Sequence, residues 1–262
     1  MRRWNQYGSQ TLRRGKWFHR NRFRLSIDGT GCLQSARERP TIRLAYLCGN
    51  VAVRVDRLLL AESLFLREYP DAFASPALAD IGKRHPIARL TQQAQEALAE
   101  PRFRRPGLVL ESVVKLVSRS SMVSLFEKPR FRDVVNGLPR DDRARLVEGY
   151  RQRLHGDHAA GFELITDVLV EHRLAKWSLV SVVPFYMTPT DELFIKPTTT
   201  RGILQFLAPP DLVYRPQPTW AFYAGYRKFI EDCKARVDPR LTVNNAAFTG
   251  FMMMMLREGR EL

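Results

Sequence analysis

The sequence lacks any apolar run of the ~20 residues that a membrane-spanning helix needs. Its longest candidate, residues 246–256, is about half that length. Residues 1–25 carry arginines throughout and have neither the apolar segment nor the small-residue cleavage site of a secretory signal. We therefore expect a cytoplasmic protein without a membrane partner.

Cysteine is also scarce. The three cysteines, Cys32, Cys48 and Cys233, are odd in number and far apart, and they form no CxxC pair. This pattern argues against a disulfide framework and favours reduced thiols, as in a cytoplasm.

The short motifs of common enzymes are missing as well. The sequence contains none of the motifs GxGxxG, GxxxxGK[ST], GxSxG and HExxH. It therefore offers no motif evidence for a nucleotide-binding enzyme or a common hydrolase. We expect no cofactor, and the sequence alone leaves open whether the protein is an enzyme.

Positive charge, by contrast, is abundant and unevenly placed. The formal net charge is +15, and residues 1–57 contain thirteen bases but only three acids. The remaining residues have a net charge of only +5. Arginine outnumbers lysine 34 to 8, a bias typical of phosphate recognition but also of GC-rich codon usage.

Residues 1–41 predict a basic, flexible N-terminal extension, which we call the basic arm. Its stretch RRWNQYGSQTLRRGKWFHRNRFR has eight bases, no acids and five interspersed Trp, Tyr and Phe residues. Bases interleaved with aromatics can bind a phosphate backbone and stack on nucleobases. Residues 1–41 have two other interpretations. They could be a disordered extension without a ligand, or residues translated from upstream of the natural start. The candidate nucleic-acid-binding residues are Arg13, Arg14, Lys16, Arg20, Arg22 and Arg24.

Residues 42–262 predict a mainly α, single multi-helix globular domain with at most a few short strands. Residues 56–69 have a helical pattern that Pro70 ends. Residues 107–119 are so densely apolar that we expect a helix buried on all sides. Aromatic and apolar residues recur at three- and four-residue steps after Thr219, which we expect to cap that helix. Four consecutive methionines, residues 252–255, predict core packing of a last helix.

The segment between two of these helices, VPFYMTPTDELFIKPTTTR, contains unexplained charges. Pro189 ends an apolar run, ELFI is too short for more than one small strand, and Pro197 predicts Thr198 or Thr199 as a helix N-cap. This accounts for the threonines without a ligand. It leaves a lysine beside two acids that we expect to be exposed. These weak catalytic candidates are Asp191, Glu192 and Lys196.

A second charged set matches the PD…(D/E)xK spacing of metal-dependent nucleases, in which two carboxylates bind Mg²⁺ and a lysine steadies water or phosphate. It consists of Asp211, Asp232 and Lys234. The placement of Asp232 and Lys234 two residues apart on a predicted helix argues against this site, because such positions do not share a face.

The stretch LHGDH offers two histidines near acids, but we expect no metal site there. Gly156 lies between His155 and His158 and indicates a turn, so the two rings would not converge. Asp157 is better interpreted as the N-cap of the following helix. His172, at the end of that helix, is expected to interact with its C-terminal carbonyls.

Four motifs in fixed order carry a family likeness. They are YP at residues 69–70, SLFEKPRFRD at 124–133, WSLVSVVPF…LFIKPTTT at 177–200 and YRPQPTW at 214–220. Over residues 60–255 the chain resembles a family of uncharacterised bacterial proteins. The likeness implies a shared domain and no particular activity. The sequence departs from it at Asn244 and Ala246, where an acidic residue and a glutamine would be expected.

Together these features favour a non-catalytic, cytoplasmic, nucleic-acid-associated accessory protein that binds DNA or RNA through the basic arm. One alternative is a metal-dependent enzyme that acts on nucleic acid. The other is a protein-interaction module that uses the proline-rich segment at residues 209–218 and the aromatic helix after it.

Overall fold

A computed structural model describes residues 54–258, which fold into α-helices joined by turns and short 3-10 segments. No strand occurs within these residues, so the mainly α prediction is confirmed, and ELFI does not form the one small strand that its length would allow. The helices are α1 (Val55–Glu68), α2 (Ala79–Arg84), α3 (Ile87–Ala97), α4 (Pro106–Arg119), α5 (Glu127–Gly137), α6 (Arg140–His155), α7 (His158–Glu171), α8 (Trp177–Met187), α9 (Pro197–Leu207), α10 (Trp220–Lys234) and α11 (Asn245–Glu258).

Local sequence signals set several helix ends. The side chain of Asp157 accepts hydrogen bonds from the backbone N–H groups of Ala159 and Ala160, which caps α7 as expected. Thr219 caps α10 by accepting from the N–H of Phe222. Both side chains satisfy donors that the first turn of a helix leaves without partners.

Two elements differ from the sequence prediction. α4 is one-sided, because Leu108 is 46% exposed while Val109 and Val113 are fully buried. α9 begins at Pro197, and its N-cap is Lys196 rather than Thr198 or Thr199. Proline is favoured at the first helical position because its fixed φ suits the helix and its missing N–H would have had no partner there. The threonines therefore lie inside the first turn.

α8 is the central helix of the described part of the chain. Every residue from Trp177 to Tyr186 is buried, the pattern of a helix surrounded by protein. Helices α3, α4, α6 and α7 all contact it. On the last helix, Met252 and Met255 are buried, in agreement with the expected core packing.

α6 and α7 form a closely packed antiparallel pair. A Cβ atom on Gly161 would lie 2.2 Å from the backbone nitrogen of Arg153 and 2.7 Å from the carbonyl oxygen of Gly149. Only glycine permits this approach of two backbones. The packing buries the Arg153 side chain, which is 2% exposed.

None of the helices within residues 54–258 is both long and apolar enough to span a membrane.

Candidate functional site around Glu192

Glu192 lies in the segment that connects α8 to α9, and its side chain is buried. It is 3% exposed, so the prediction that it is a surface acid is wrong. Asp191 is exposed, as expected, and Lys196 is exposed as well. Glu192 is buried rather than exposed because two arginines on helices provide the charge partners that a buried carboxylate requires.

The Glu192 carboxylate accepts hydrogen bonds from three side chains. Arg153 of α6 binds it at two points, through Nη1 to Oε1 at 3.1 Å and through Nη2 to Oε2. The hydroxyl of Tyr223 on α10 donates to Oε2. Arg227, one turn further along α10, donates from Nη1 to Oε1 at 2.9 Å. We call these residues, with His158 and Asn245, the Glu192 cluster.

The electrostatics of the cluster favour an ionised carboxylate. Burial raises the pKa of Glu192, but the bonds and charge of Arg153, the Tyr223 hydroxyl and the charge of Arg227 together lower it below its usual value. The pKa of Tyr223 is raised by burial and by the neighbouring carboxylate, so the phenol remains a neutral donor.

His158 lies at the outer edge of the cluster. Its Nδ1 is 3.8 Å from Oε1 of Glu192 and 3.3 Å from Nη1 of Arg153. Burial and the charge of Arg153 lower its pKa, and these effects outweigh the attraction of Glu192. With a neutral imidazole, the cluster contains two positive charges and one negative charge.

The same segment is held by bonds from its backbone to helix side chains. The N–H of Leu193 donates to the Tyr223 hydroxyl at 3.0 Å, and the N–H of Ile195 donates to Ser181 Oγ at 2.9 Å. Asn245 donates from Nδ2 to the carbonyl oxygen of Glu192 at 3.0 Å. Because side chains satisfy these backbone groups, ELFI lies in the core without pairing as a strand.

The three sequence candidates are not brought together as a set. Within residues 54–258, no ion pair joins Lys196 to Asp191 or Glu192. The charge of Lys196 acts instead on His85, whose pKa is lowered mainly by burial and further by this lysine. Asn244 caps α11, since its Oδ1 accepts from the N–H of Ala247 at 2.9 Å.

The nuclease-like set does not form a metal site. Asp211 and Asp232 are exposed, and Lys234 donates to the carbonyl oxygen of Thr190 at 3.1 Å. No group of three His, Cys, Asp or Glu side chains in the described part of the chain could hold a metal ion.

The histidines near Gly156 have separate partners. His155 Nε2 lies 2.7 Å from the carbonyl oxygen of Leu98, whereas His158 belongs to the Glu192 cluster. His172 pairs with Asp142 at 3.1 Å rather than with the carbonyls of its own helix end.

Sequence reasoning missed four members of the cluster: Arg153, Tyr223, Arg227 and Asn245. Arg153 carries a usable signal, because it follows Tyr150 by three residues and so falls on the apolar face of α6. Tyr223 and Arg227 are four apart on α10 and share a face for the same reason. The sequence predicts the aromatic stripe of α10, but it does not indicate that the Tyr223 hydroxyl bonds to Glu192.

The arrangement binds helices together rather than presenting a reactive group. An ionised carboxylate has about four lone-pair positions, and those of Glu192 accept four hydrogen bonds from Arg153, Tyr223 and Arg227. A carboxylate engaged in this way is poorly suited to bind Mg²⁺ or take a proton from a substrate. The cluster links α6, α10 and α11 to the α8–α9 connection.

The predicted nucleic-acid-binding residues Arg13, Arg14, Lys16, Arg20, Arg22 and Arg24 lie outside the described residues. No protein-family model, no curated protein and no solved structure matches this chain.

Proposed function

We propose that the protein is a non-catalytic, nucleic-acid-associated accessory protein whose basic arm contacts the phosphate backbone. The observation that carries this proposal is the concentration of thirteen bases and three acids in residues 1–57, of which ten bases and two acids lie in the basic arm. Such a charge density attracts polyanions independently of their sequence, because binding releases condensed counterions. The aromatics between the bases supply surfaces on which nucleobases stack.

The Glu192 cluster favours this function over the enzymatic alternative. The only one of the three catalytic candidates that is buried, Glu192, is engaged by two arginines and a tyrosine. Asp191 and Lys196 are exposed and do not join it. The charge of Glu192 is therefore explained by a buried ion pair. The three catalytic candidates do not form a common site.

The proline-rich segment also has an internal role, which weakens its interpretation as a docking motif. The backbone carbonyl of Arg215 accepts from Nε1 of the buried Trp177 at 2.7 Å. The Tyr214 ring packs against those of Trp177 and Phe222, with centroid distances of 6.5 and 5.9 Å. The segment thus covers the aromatic core of its own domain.

Duplex DNA binding measured over a range of salt concentrations tests the proposed function. The affinity should fall linearly on a log–log plot, and deletion of residues 1–40 should make the slope shallower. Absence of duplex binding at low salt would contradict the proposal, as would a slope unchanged by the deletion.

A further inference from the structure

The loop between α4 and α5 presents two large apolar side chains to solvent. Leu125 is 78% exposed and Phe126 is 91% exposed, more than any other large apolar residue described. The neighbouring Val123 and Phe131 are buried. A contiguous exposed apolar pair is informative, whereas single exposed apolar residues are common on protein surfaces.

The backbone that carries this pair is anchored on both sides. Ser120 is fully buried, and its Oγ lies 3.1 Å from the Tyr186 hydroxyl. On the other side, Glu127 accepts a hydrogen bond from Ser178 at 2.7 Å and pairs with Lys176 at 3.2 Å. Phe126 is therefore presented to solvent by a fixed backbone.

The charges beside the pair are mainly positive. Lys128 and Arg130 follow Phe126 in the first turns of α5, and no carboxylate within residues 54–258 pairs with either. The two acids on that helix are already paired, Glu127 with Lys176 and Asp133 with Arg132. An anionic partner is complementary to this surface.

We infer that the Leu125–Phe126 pair, with Lys128 and Arg130, binds single-stranded nucleic acid. A base stacks on the Phe126 ring, and the adjacent phosphates contact the two cations. Exposed aromatics beside bases are the features by which proteins bind single strands without sequence preference. A duplex buries its bases in the stack and offers this ring no equivalent surface. This inference rests on the proposed function. It assigns the preference for single strands over duplexes to the domain rather than to the basic arm.

The test compares full-length protein with its Phe126→Ala variant on a labelled single-stranded oligonucleotide and on the matching duplex. We expect Phe126→Ala to weaken single-strand binding about five- to a hundredfold, the range for loss of one stacked base. Duplex binding should not change. Phe126→Trp should retain single-strand binding, and Val213→Ala, at a position 69% exposed in the connection between α9 and α10, is the matched control.

The double variant Lys128→Gln/Arg130→Gln tests the cations separately. It should reduce the salt slope for the single strand by about 1.4, because each lost phosphate contact contributes roughly 0.7. The Phe126→Ala variant should leave that slope unchanged.

Failure of this inference is distinguishable from failure of the proposed function. If wild-type protein binds neither strand form, the proposed function fails and the inference fails with it. If wild type binds but Phe126→Ala is equivalent to Val213→Ala, or weakens both strand forms equally, the inference alone is overturned. Loss of binding to vesicles of anionic phospholipid in Phe126→Ala, with single-strand affinity intact, would also overturn it and indicate a membrane surface.

Discussion

Arg153 and Glu192 form a buried, two-point ion pair between residues 39 positions apart in the chain. Their side chains are 2% and 4% exposed. Arg153 also lies over the rings of Trp220 and Tyr223, with its guanidinium carbon 5.4 and 5.2 Å from their centroids. The pair thus joins α6 to the α8–α9 segment and to the aromatic face of α10.

Removing the Glu192 charge should strongly destabilise the fold. Glu192→Gln retains the shape of the side chain but leaves Arg153 buried without its counter-charge, a change that costs about 3–5 kcal/mol in comparable pairs. Urea unfolding followed by far-ultraviolet circular dichroism measures the loss. The neighbouring Asp191→Asn is the control, and as an exposed site it should change the free energy of unfolding by less than about 0.5 kcal/mol. Equal effects of the two changes would show that the ion pair does not stabilise the fold.

A methyl group at Gly161 should disrupt the α6–α7 pair. The added Cβ would lie 2.2 Å from the backbone nitrogen of Arg153, where no flexible side chain can move aside. We expect Gly161→Ala to lower the free energy of unfolding by about 3 kcal/mol. Gly82→Ala is the matched control in helix α2, because its Cβ would meet nothing within 4 Å. That change should be neutral or stabilise by about 0.5–1 kcal/mol, and a similar response at both sites would refute the packing argument.

Acid should destabilise the protein in two stages at the Glu192 cluster. The pKa of His158 is lowered from 6.5, so below that pH the unfolded chain takes up a proton first and stability declines. The pKa of Glu192 is lowered from 4.5, so its contribution is present above pH 4.5 and is lost as the pH falls through the folded-state value. His158→Gln should remove the first decline, and Glu192→Gln should reduce the second. Unfolding free energies measured against pH would contradict this if His158→Gln left the upper decline intact.

Cys233 should be unreactive in the folded protein. It is 1% exposed, and burial raises the pKa of its thiol to about 12, so little nucleophilic thiolate forms near neutral pH. In a Cys32→Ser/Cys48→Ser background, a thiol-specific chromogenic reagent should label the protein only after denaturant is added. Prompt labelling without denaturant would show that the α10 face is open to solvent.

The helical fold could be predicted because its signals are local. Pro70, Asp157 and Thr219 mark helix ends through interactions within a few residues. The cluster could not be predicted in the same way, because Glu192 depends on Arg153 and Arg227, each more than thirty residues away. Only the position of Arg153 on an apolar helix face gave a local indication of a buried charge.

A related reason explains why ELFI forms no strand, although its length would allow one. Its alternating apolar residues, Leu193 and Ile195, are indeed fully buried. Tyr223 and Ser181 then satisfy their backbone N–H groups in place of a neighbouring strand. Alternating apolar residues indicate that one side of a segment is buried. They do not specify which groups bond to its backbone N–H and C=O groups.

The salt dependence of duplex DNA binding tests the central claim most directly when two full-length variants are compared. One replaces six arm residues with glutamine. The other replaces six exposed bases of the domain and serves as the matched control. The arm set is Arg13, Arg14, Lys16, Arg20, Arg22 and Arg24, and the domain set is Arg89, Lys115, Arg140, Arg215, Lys228 and Arg236.

If the basic arm supplies the main phosphate contacts, the arm variant should lose up to about five units of log–log slope, roughly 0.9 for each contact. The domain variant should lose much less. Equal slopes for wild type and the arm variant, or no duplex binding by wild type at low salt, would contradict the claim that this protein binds nucleic acid through its basic arm.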